Sequence, residues 1–335
     1  MNNKPARQCL FAQLSGCTTL LLALTCTLLP GIAAGGAYFF SGEAIGIDVI
    51  THPETYTGTG GNIIIKVCIN PASLNAAEME IPIQNNINIY NKLEPTLQNL
   101  KLNSNNNIPS GALDLESVSL HEIGHCLGMA HVNAASESDL ANPDIESTKA
   151  TDGLNNIFNV AAGTDGIVGS SDDIRGDDVN LHWFRISNND PFTIDSVIDK
   201  TTYSVDVSDL PAGHNFAANG ARTVSSLLGY GNTTEAVMQQ GTYYDEAQRT
   251  LTHDDIATLL YAASGKDESA GNNDDYTFTL EYGGISSSQD CNISLSITTT
   301  TGLAFCSASG AYIQPSGAHH LRIKDTEIEF GSGYN

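Results

Sequence analysis

Basic residues are scarce in this chain. Among its 335 residues, 14 lysines and arginines stand against 38 aspartates and glutamates, so the formal net charge is -24. A surface this acidic repels the phosphates of nucleic acids and of anionic lipids, so we expect neither as a partner. Beyond residue 34 the chain has no apolar run as long as a membrane span, which requires about 20 residues. The sequence therefore predicts a soluble protein with no nucleic-acid partner and no membrane span.

Residues 1–34 contain the ordered segments that are typical of a secretory signal peptide. Two basic residues precede an apolar run over residues 18–29, and the small residues 31–34 offer a cleavage site after Ala34. Residues 14–17 resemble a lipoprotein box, but most of the apolar run follows that box instead of preceding it. We therefore predict that the first segment is removed and that the protein is secreted, either outside the cell or into a periplasm.

Few cysteines remain once the predicted signal peptide is removed. Three of the seven lie in that peptide, which leaves Cys68, Cys126, Cys291 and Cys306. An exported protein can form disulfides, and four cysteines allow three pairings. Pairing Cys291 with Cys306 would close a loop of about 15 residues and, in the loop-entropy model, add roughly 3 kcal/mol to the stability of the fold. Cys68 would then pair with Cys126. Buried thiols acting as small apolar groups are the alternative.

Histidines are concentrated at one place in the sequence. His121 and His125 are four residues apart, so on a helix their imidazoles lie on the same face and can reach one ion. Gly128 can adopt a left-handed backbone conformation and turn the chain so that His131 returns as a third ligand. Three protein ligands leave zinc one open position, as in catalytic sites. Glu122, next to the first ligand, is the candidate general base.

This set of residues predicts a hydrolytic reaction. Zinc lowers the pKa of bound water from about 15.7 to roughly 7 and stabilises an oxyanion. Glu122 would take the proton as the water attacks a carbonyl and then pass it to the leaving group. A solvated helix that carries histidines by chance, or a metal site kept only for stability, is the alternative interpretation.

The eleven-residue stretch matches the pattern H-E-x-x-H-x-x-G-x-x-H, so the chain resembles the metzincins, a family of zinc metallopeptidases. Met238 looks like the Met-turn methionine of that family, which forms a hydrophobic floor under the zinc. Residues 249–257 are similar to the start of the last catalytic-domain helix in matrixins, and Thr252 followed by Asp255 also suits a helix N-cap. The resemblance implies zinc as cofactor and a protein or peptide as substrate.

The resemblance also implies an α+β fold. A metzincin-like catalytic domain, with a twisted sheet, a zinc helix and a C-terminal helix, would cover residues 35–264. His131 and Met238 are farther apart than in the family, which implies a long insertion at about residues 140–225 before the Met-turn. Alternating apolar and polar residues then predict a β-rich C-terminal extension over residues 265–335. The alternating runs are residues 276–282, 292–298 and 321–330.

Local signals place the first half of the catalytic domain. Residues 62–69 are nearly all apolar and β-branched, which predicts a buried strand. A helical stripe of apolar residues begins at Pro82, which suits a first helical turn, and stops at Pro95. The zinc helix is predicted to begin at about Leu115, with Asp114 as its N-cap.

Two acidic stretches, residues 165–173 and 267–275, share the pattern D-x-x-x-G-x-x-D-D, and Asp177 and Asp178 add acid to the first copy. Carboxylates on loops rich in Gly and Ser suit calcium, which prefers oxygen ligands. Polar turns in an acidic protein are the alternative interpretation. The candidate calcium ligands are Asp165, Asp172, Asp173, Asp177, Asp178, Asp267, Asp274 and Asp275.

The sequence thus supports two classes of function. The first is a secreted zinc-dependent endopeptidase with Glu122 as base. The second is a non-catalytic secreted binding or adhesion protein that uses the metal site for stability. The intact Glu122 favours the enzyme, and hydrolysis of a non-peptide bond is a third hypothesis that the motif also allows.

Overall fold

The structure is a computed structural model that describes residues 35–40, 49–131, 157–161, 174–175, 183–186, 190–204, 215–217, 220, 222–227, 229–239, 243–287, 289–300, 304–314 and 319–334. The α-helices within these ranges are α1 (Ala76–Lys92), α2 (Leu115–Cys126), α3 (Arg222–Leu227) and α4 (His253–Ala263). The strands there are β1 (Gly35–Gly36), β2 (Ile50–His52), β3 (Gly61–Ile69), β4 (Leu100–Leu102), β5 (Ile157–Ala161), β6 (Ile174–Arg175), β7 (Trp183–Arg185), β8 (Tyr203–Ser204), β9 (Asn215–Ala217), β10 (Glu246–Gln248), β11 (Tyr276–Ile285), β12 (Ile293–Ile297), β13 (Phe305–Tyr312) and β14 (His320–Phe330).

The largest sheet has six strands and is mostly parallel. Its order is β11-β3-β12-β14-β13, and β2 also pairs with β14. All of these pairs are parallel except the pair of β13 with β14, which is antiparallel. Few helices accompany the sheet in the described residues. The protein is therefore a mixed α/β structure, which is compatible with the predicted α+β class.

Helices α1 and α2 pack on this sheet and form the main core with it. Tyr90 of α1 is fully buried, and its hydroxyl donates a hydrogen bond of 2.7 Å to the carbonyl of Leu120 in α2. In β14, Ile328 and Phe330 are buried whereas Glu329 between them is only partly buried, so the strand turns one face to the core. This packing fixes α2, which carries two of the predicted metal ligands, against the sheet.

Helix α1 corrects one sequence prediction. The predicted helix begins at Pro82, but α1 begins at Ala76 and contains Pro82 in its interior. Proline has no N–H, so one intrahelical hydrogen bond is lost at that position. The earlier turn is nevertheless helical, and it buries Met79 next to Ile83 on the face that meets the core. Burial of that turn outweighs the local cost of the proline.

The predicted starts of α2 and α4 are confirmed. Asp114 caps α2 by accepting a hydrogen bond of 3.2 Å from the backbone N–H of Ser117. At α4, the carboxylate of Asp255 accepts hydrogen bonds from the backbone N–H of Thr252 at 2.8 Å and from its hydroxyl at 2.9 Å. Both helices therefore begin where a short polar side chain can pair with free N–H groups.

The C-terminal residues form part of the main sheet, which corrects the predicted division at residue 264. The three predicted strands are confirmed as β11, β12 and β14, but they do not form an extension of their own. Strand β3 lies between two of them, since it pairs with β11 on one side and with β12 on the other. Residues from both predicted domains thus share one sheet and one core.

The disulfides differ from the favoured pairing. The structure joins Cys68 to Cys291 and Cys126 to Cys306, with Cα–Cα distances of 5.9 and 6.1 Å. Cys291 lies just before β12 and Cys306 lies in β13, and β14 separates these two strands. Two strand spacings amount to about 9.6 Å, beyond the Cα–Cα limit of about 7 Å for a disulfide. The sheet order therefore excludes the local pair.

Three smaller groups of strands lie in the described residues outside the main sheet. Strand β7 pairs with β1 and β8, β5 pairs with β6 and β9, and β4 pairs with β10. Most of the predicted insertion and the whole predicted signal peptide lie outside the described residues. In the part of the chain that the structure covers, none of the helices has the length and apolar character needed to cross a membrane.

Candidate metal centre

Helix α2 carries the first two histidines of the candidate centre. Its N-terminus is held by the cap residue Asp114, whose carboxylate also accepts hydrogen bonds of 2.7 and 2.8 Å from the guanidinium of Arg249. About two and three turns further on, His121 and His125 project from the same side of the helix. The cap and its arginine therefore fix the start of the helix that presents both imidazoles.

A turn at Gly128 brings the third histidine to the other two. Gly128 has φ +111°, a backbone conformation that side chains disfavour. A Cβ atom on Gly128 would lie 2.4 Å from the carbonyl oxygen of Thr51 in β2, so glycine is also needed for close packing. The backbone N–H of Ala130 donates to the carbonyl of Ala37 at 2.9 Å, which holds the chain just before His131.

The three imidazoles converge on one point. The Nε2 atom of His131 lies 3.0 Å from that of His121 and 3.1 Å from that of His125. In the described residues this is the only group of three histidine, cysteine or acidic side chains that is close enough to hold one metal ion. His125 is buried and the other two are partly exposed, so one side of the group is open to solvent.

Backbone carbonyls fix the orientation of two rings. The Nδ1 atom of His121 lies 2.6 Å from the carbonyl oxygen of Val237, and that of His125 lies 2.9 Å from the carbonyl oxygen of Met129. A carbonyl only accepts, so each Nδ1 carries the proton and each Nε2 has a lone pair that points into the group.

The group is neutral. Burial lowers the pKa of His121, while its bond to Val237 opposes that shift. Burial, followed by repulsion from His121, lowers the pKa of His125 to about 3. Burial and then repulsion from the other two histidines place the pKa of His131 well below its ordinary value. Neutral imidazole is the form that binds metals.

The donor set fits a divalent cation. A neutral His131 has one ring proton at most to share, so it cannot satisfy the lone pairs of both His121 and His125 by hydrogen bonding. A cation at the centre of the three Nε2 atoms satisfies all of them. Imidazole suits zinc, copper, iron and nickel. The three histidines can therefore hold a metal ion.

The carboxyl group of Glu122 is buried and only partly satisfied. Its Oε2 atom has no hydrogen-bond partner in the described residues. Burial raises the pKa of Glu122 to about 8, and the nearby backbone of Cys306 in β13 opposes that rise. A buried carboxyl next to a ligand and with a free oxygen can accept or release a proton.

Residues 237 and 238 connect α4 to the candidate centre. The carboxylate of Asp255 accepts hydrogen bonds from the backbone N–H groups of Val237 at 3.0 Å and Met238 at 3.1 Å. The carbonyl of Val237 in turn faces His121. Met238 is buried, and its sulfur lies so close to Gly124 of α2 that a Cβ atom there would be 2.6 Å away from it.

Several contacts that support this site are missing from the sequence predictions. The sequence identifies Asp255 only as a helix-capping acid, but its carboxylate also holds the segment that contacts His121. The Asp114–Arg249 pair joins residues that are far apart in the chain, and only the cap itself is visible in the sequence.

The acidic loop around residue 270 binds its own backbone. Asp267 accepts from the N–H of Ser269, Asp274 from the N–H of Lys266 at 2.7 Å, and Asp275 from the N–H of Asn272 at 3.1 Å. These three carboxylates do not form a group that could share one ion. The other calcium candidates, Asp165, Asp172, Asp173, Asp177 and Asp178, lie outside the described residues.

Comparison of this chain with protein-family models, curated proteins and solved structures finds no match in any of the three. The metzincin resemblance therefore rests on the quoted motifs alone. The geometry of the histidines and of Glu122 is independent of that resemblance, because it follows from distances within this chain.

Proposed function

We propose that this protein is an exported zinc-dependent endopeptidase of the metzincin kind. The observation that carries the proposal is the convergence of three neutral histidine Nε2 atoms beside a buried glutamate with a free oxygen. Three protein ligands and one open side are typical of catalytic zinc sites. The spacing of the histidines along the chain is that of a zinc peptidase motif.

Zinc at this position would supply Lewis acidity, which lowers the pKa of water and polarises a carbonyl. Glu122 then takes the proton from the attacking water and delivers it to the leaving amine. A cation held by the three histidines would favour the charged form of the Glu122 carboxyl group and so oppose the rise in its pKa that burial causes.

The surroundings of Glu122 suit this role. The Oε2 atom of Glu122 is buried and has no hydrogen-bond partner in the described residues, so it is free to receive the proton. Because His121 and His131 are partly exposed, a polypeptide can approach the group from the solvent side. The carbonyls of Val237 and Met129 keep the imidazoles aligned while the substrate binds.

Two features support an exported protein. The described residues contain two disulfides, which persist in oxidising compartments. The first 34 residues have the composition of a signal peptide. The acidic surface favours solubility after export.

The test combines metal analysis with proteolysis. Purified protein is expected to contain one zinc ion and to cleave an unfolded protein such as casein. Glu122→Ala should keep the zinc and lose cleavage, with a rate at least about 100-fold lower, because general acid–base catalysis contributes that much or more. Glu116→Gln is the matched control, since Glu116 lies on the same helix and outside the histidine group.

Three outcomes would contradict parts of this proposal. Full activity in Glu122→Ala would remove that residue from the role of base. Zinc binding by the wild-type protein without cleavage of casein or of a peptide mixture would favour the metal-stabilised binding protein. Hydrolysis of esters without hydrolysis of peptides would favour the non-peptide hydrolase.

A further inference from the structure

We propose that Phe39 and Phe40 form an aromatic wall beside the metal centre that selects large apolar side chains in the substrate. The inference deepens the proposed function and rests on it, because it concerns the substrate preference of the same site. The two rings would contact a substrate side chain close to the cleaved bond and take no part in the chemical step.

The backbone of Phe39 is attached to the turn that precedes the last metal ligand. Its N–H donates a hydrogen bond of 2.8 Å to the carbonyl of Gly128, three residues before His131. Its carbonyl accepts a hydrogen bond from the hydroxyl of Thr51 in β2. These two bonds hold Phe39 at the turn that brings His131 to the other two histidines.

The ring of Phe39 lies next to one of the metal ligands. Its centroid is 5.9 Å from that of the His125 ring, and the two rings meet edge to face. Two residues of an extended peptide span about 7 Å. A substrate with its scissile carbonyl at the metal therefore brings a side chain within two residues of the cleaved bond to Phe39.

Phe40 extends the wall from Phe39 to β13, the last strand in the order of the main sheet. The rings of Phe39 and Phe40 are 4.9 Å apart and nearly perpendicular. The Phe40 ring also lies against Gly310 of β13, where a Cβ atom would be 3.0 Å from its nearest carbon. Both phenylalanines are half-buried, so each keeps part of its surface in contact with solvent. The pair forms a continuous apolar surface from His125 to β13.

The backbone of Phe40 supports a role for its ring. Its φ of +67° lies in the left-handed region, which a bulky side chain rarely adopts. Glycine would have the same conformation without that cost. Unfavourable conformations of this kind are concentrated at functional sites, where the surrounding structure holds them. A half-buried apolar ring next to a metal ligand suits an apolar side chain of a bound peptide, because that contact removes apolar surface from water.

The first experiment profiles the cleavage of a peptide mixture by zinc-loaded protein. The wild type should prefer a large apolar residue to alanine at one position within two residues of the cleaved bond. Phe39→Ala and Phe40→Gly should each lower this preference about tenfold, since small changes in an apolar pocket alter selectivity by about 10- to 200-fold. Peptides with alanine at that position should be cleaved at the wild-type rate, because the histidines and Glu122 are unchanged.

Phe278→Ala is the matched control. Phe278 is also half-buried, but it lies in β11, at the opposite end of the strand order from β13. Its replacement removes an aromatic ring from the same sheet and should leave the preference unchanged. Glycine is chosen at position 40 because it removes the ring without leaving a side chain in the left-handed region.

A second readout does not depend on cleavage. Zinc-loaded Glu122→Ala protein labelled with 13C-phenylalanine is titrated with peptides that contain leucine, and with the same peptides after each leucine is replaced by alanine. The leucine peptides should shift the NMR signals of the Phe39 and Phe40 rings and leave that of Phe278 in place. The alanine peptides should produce smaller shifts. The variants at positions 39 and 40 assign the signals, because each lacks one of them.

A wild type without the preference would overturn the inference, as would a preference that survives in both Phe39→Ala and Phe40→Gly or falls equally in Phe278→Ala. Cleavage by the wild type without any shift of the two ring signals leaves the proposed function standing and removes the aromatic wall. If the wild type cleaves nothing but leucine peptides still shift the two signals, the proposed function fails. The wall is then a binding site for apolar peptides.

Discussion

Replacing Asp255 with alanine is expected to destabilise the protein and to weaken its metal site together. Asp255 is 1% exposed, and its carboxylate accepts hydrogen bonds from the backbone N–H groups of Thr252, Val237 and Met238. It therefore joins the start of α4 to the segment whose carbonyl orients His121. Alanine would leave these three N–H groups without their acceptor.

The magnitude follows from these contacts. A hydrogen bond to a charged group contributes about 1.5 to 3 kcal/mol. Bonds to one carboxylate are not additive, so we expect a total loss of about 4 kcal/mol of unfolding free energy, a large part of the stability of an ordinary domain. Loss of an outer contact to a metal-binding histidine should also weaken zinc binding by about tenfold or more.

Urea unfolding of the zinc-loaded protein and a zinc titration measure the two effects. Asp254→Asn is the matched control, because Asp254 is equally buried and its Oδ1 has no hydrogen-bond partner in the described residues. Burial and then repulsion from Asp255 raise the pKa of Asp254 well above its ordinary value, and asparagine keeps the shape of this side chain without its charge. The free energy of unfolding of this control should fall by no more than about 1 kcal/mol. Unchanged unfolding of Asp255→Ala would refute the role assigned to Asp255.

Two further predictions concern the turn and a buried histidine. Gly128→Ala should lower the free energy of unfolding by about 3 kcal/mol and weaken zinc binding, because the new Cβ would meet the carbonyl of Thr51. Gly111 also has a positive φ but has nothing within 4 Å of a new Cβ, so Gly111→Ala should lower it by only about 1 kcal/mol in the same urea unfolding assay. Burial, then repulsion from His320, puts the pKa of His52 well below its ordinary value. Below about pH 6.5 the unfolded chain therefore takes up a proton that the folded chain excludes, and stability falls by about 1.4 kcal/mol per pH unit. Thermal melts of zinc-loaded protein should show this fall, and His52→Gln should reduce it; equal slopes would contradict the explanation.

Local signals in the sequence predict the elements that carry the site. The caps at Asp114 and Thr252 depend on contacts within one helical turn, so short patterns reveal them. The spacing from His121 to His131 is equally local, because a helix and one glycine turn determine where the three imidazoles meet. These predictions succeed because each depends on about ten consecutive residues.

Contacts between distant residues explain the predictions that fail. The sequence predicts the strand that begins at Tyr276, but the pairing of this strand with the one that begins at Gly61 depends on the whole fold. Disulfide pairing follows from the order of strands, and the favoured pair of Cys291 with Cys306 assumed that nearness in sequence means nearness in space. The predicted start of α1 is wrong for another reason, because burial of Met79 overrides the local signal of proline.

The central claim is that three histidines hold one zinc ion with an open side next to Glu122. Anomalous diffraction measured above and below the zinc absorption edge, from crystals grown with zinc, tests it most directly. We expect a single strong peak within bonding distance of the Nε2 atoms of His121, His125 and His131, and loss of that peak in His131→Ala. A peak at any other set of side chains, or none at these histidines, would contradict it.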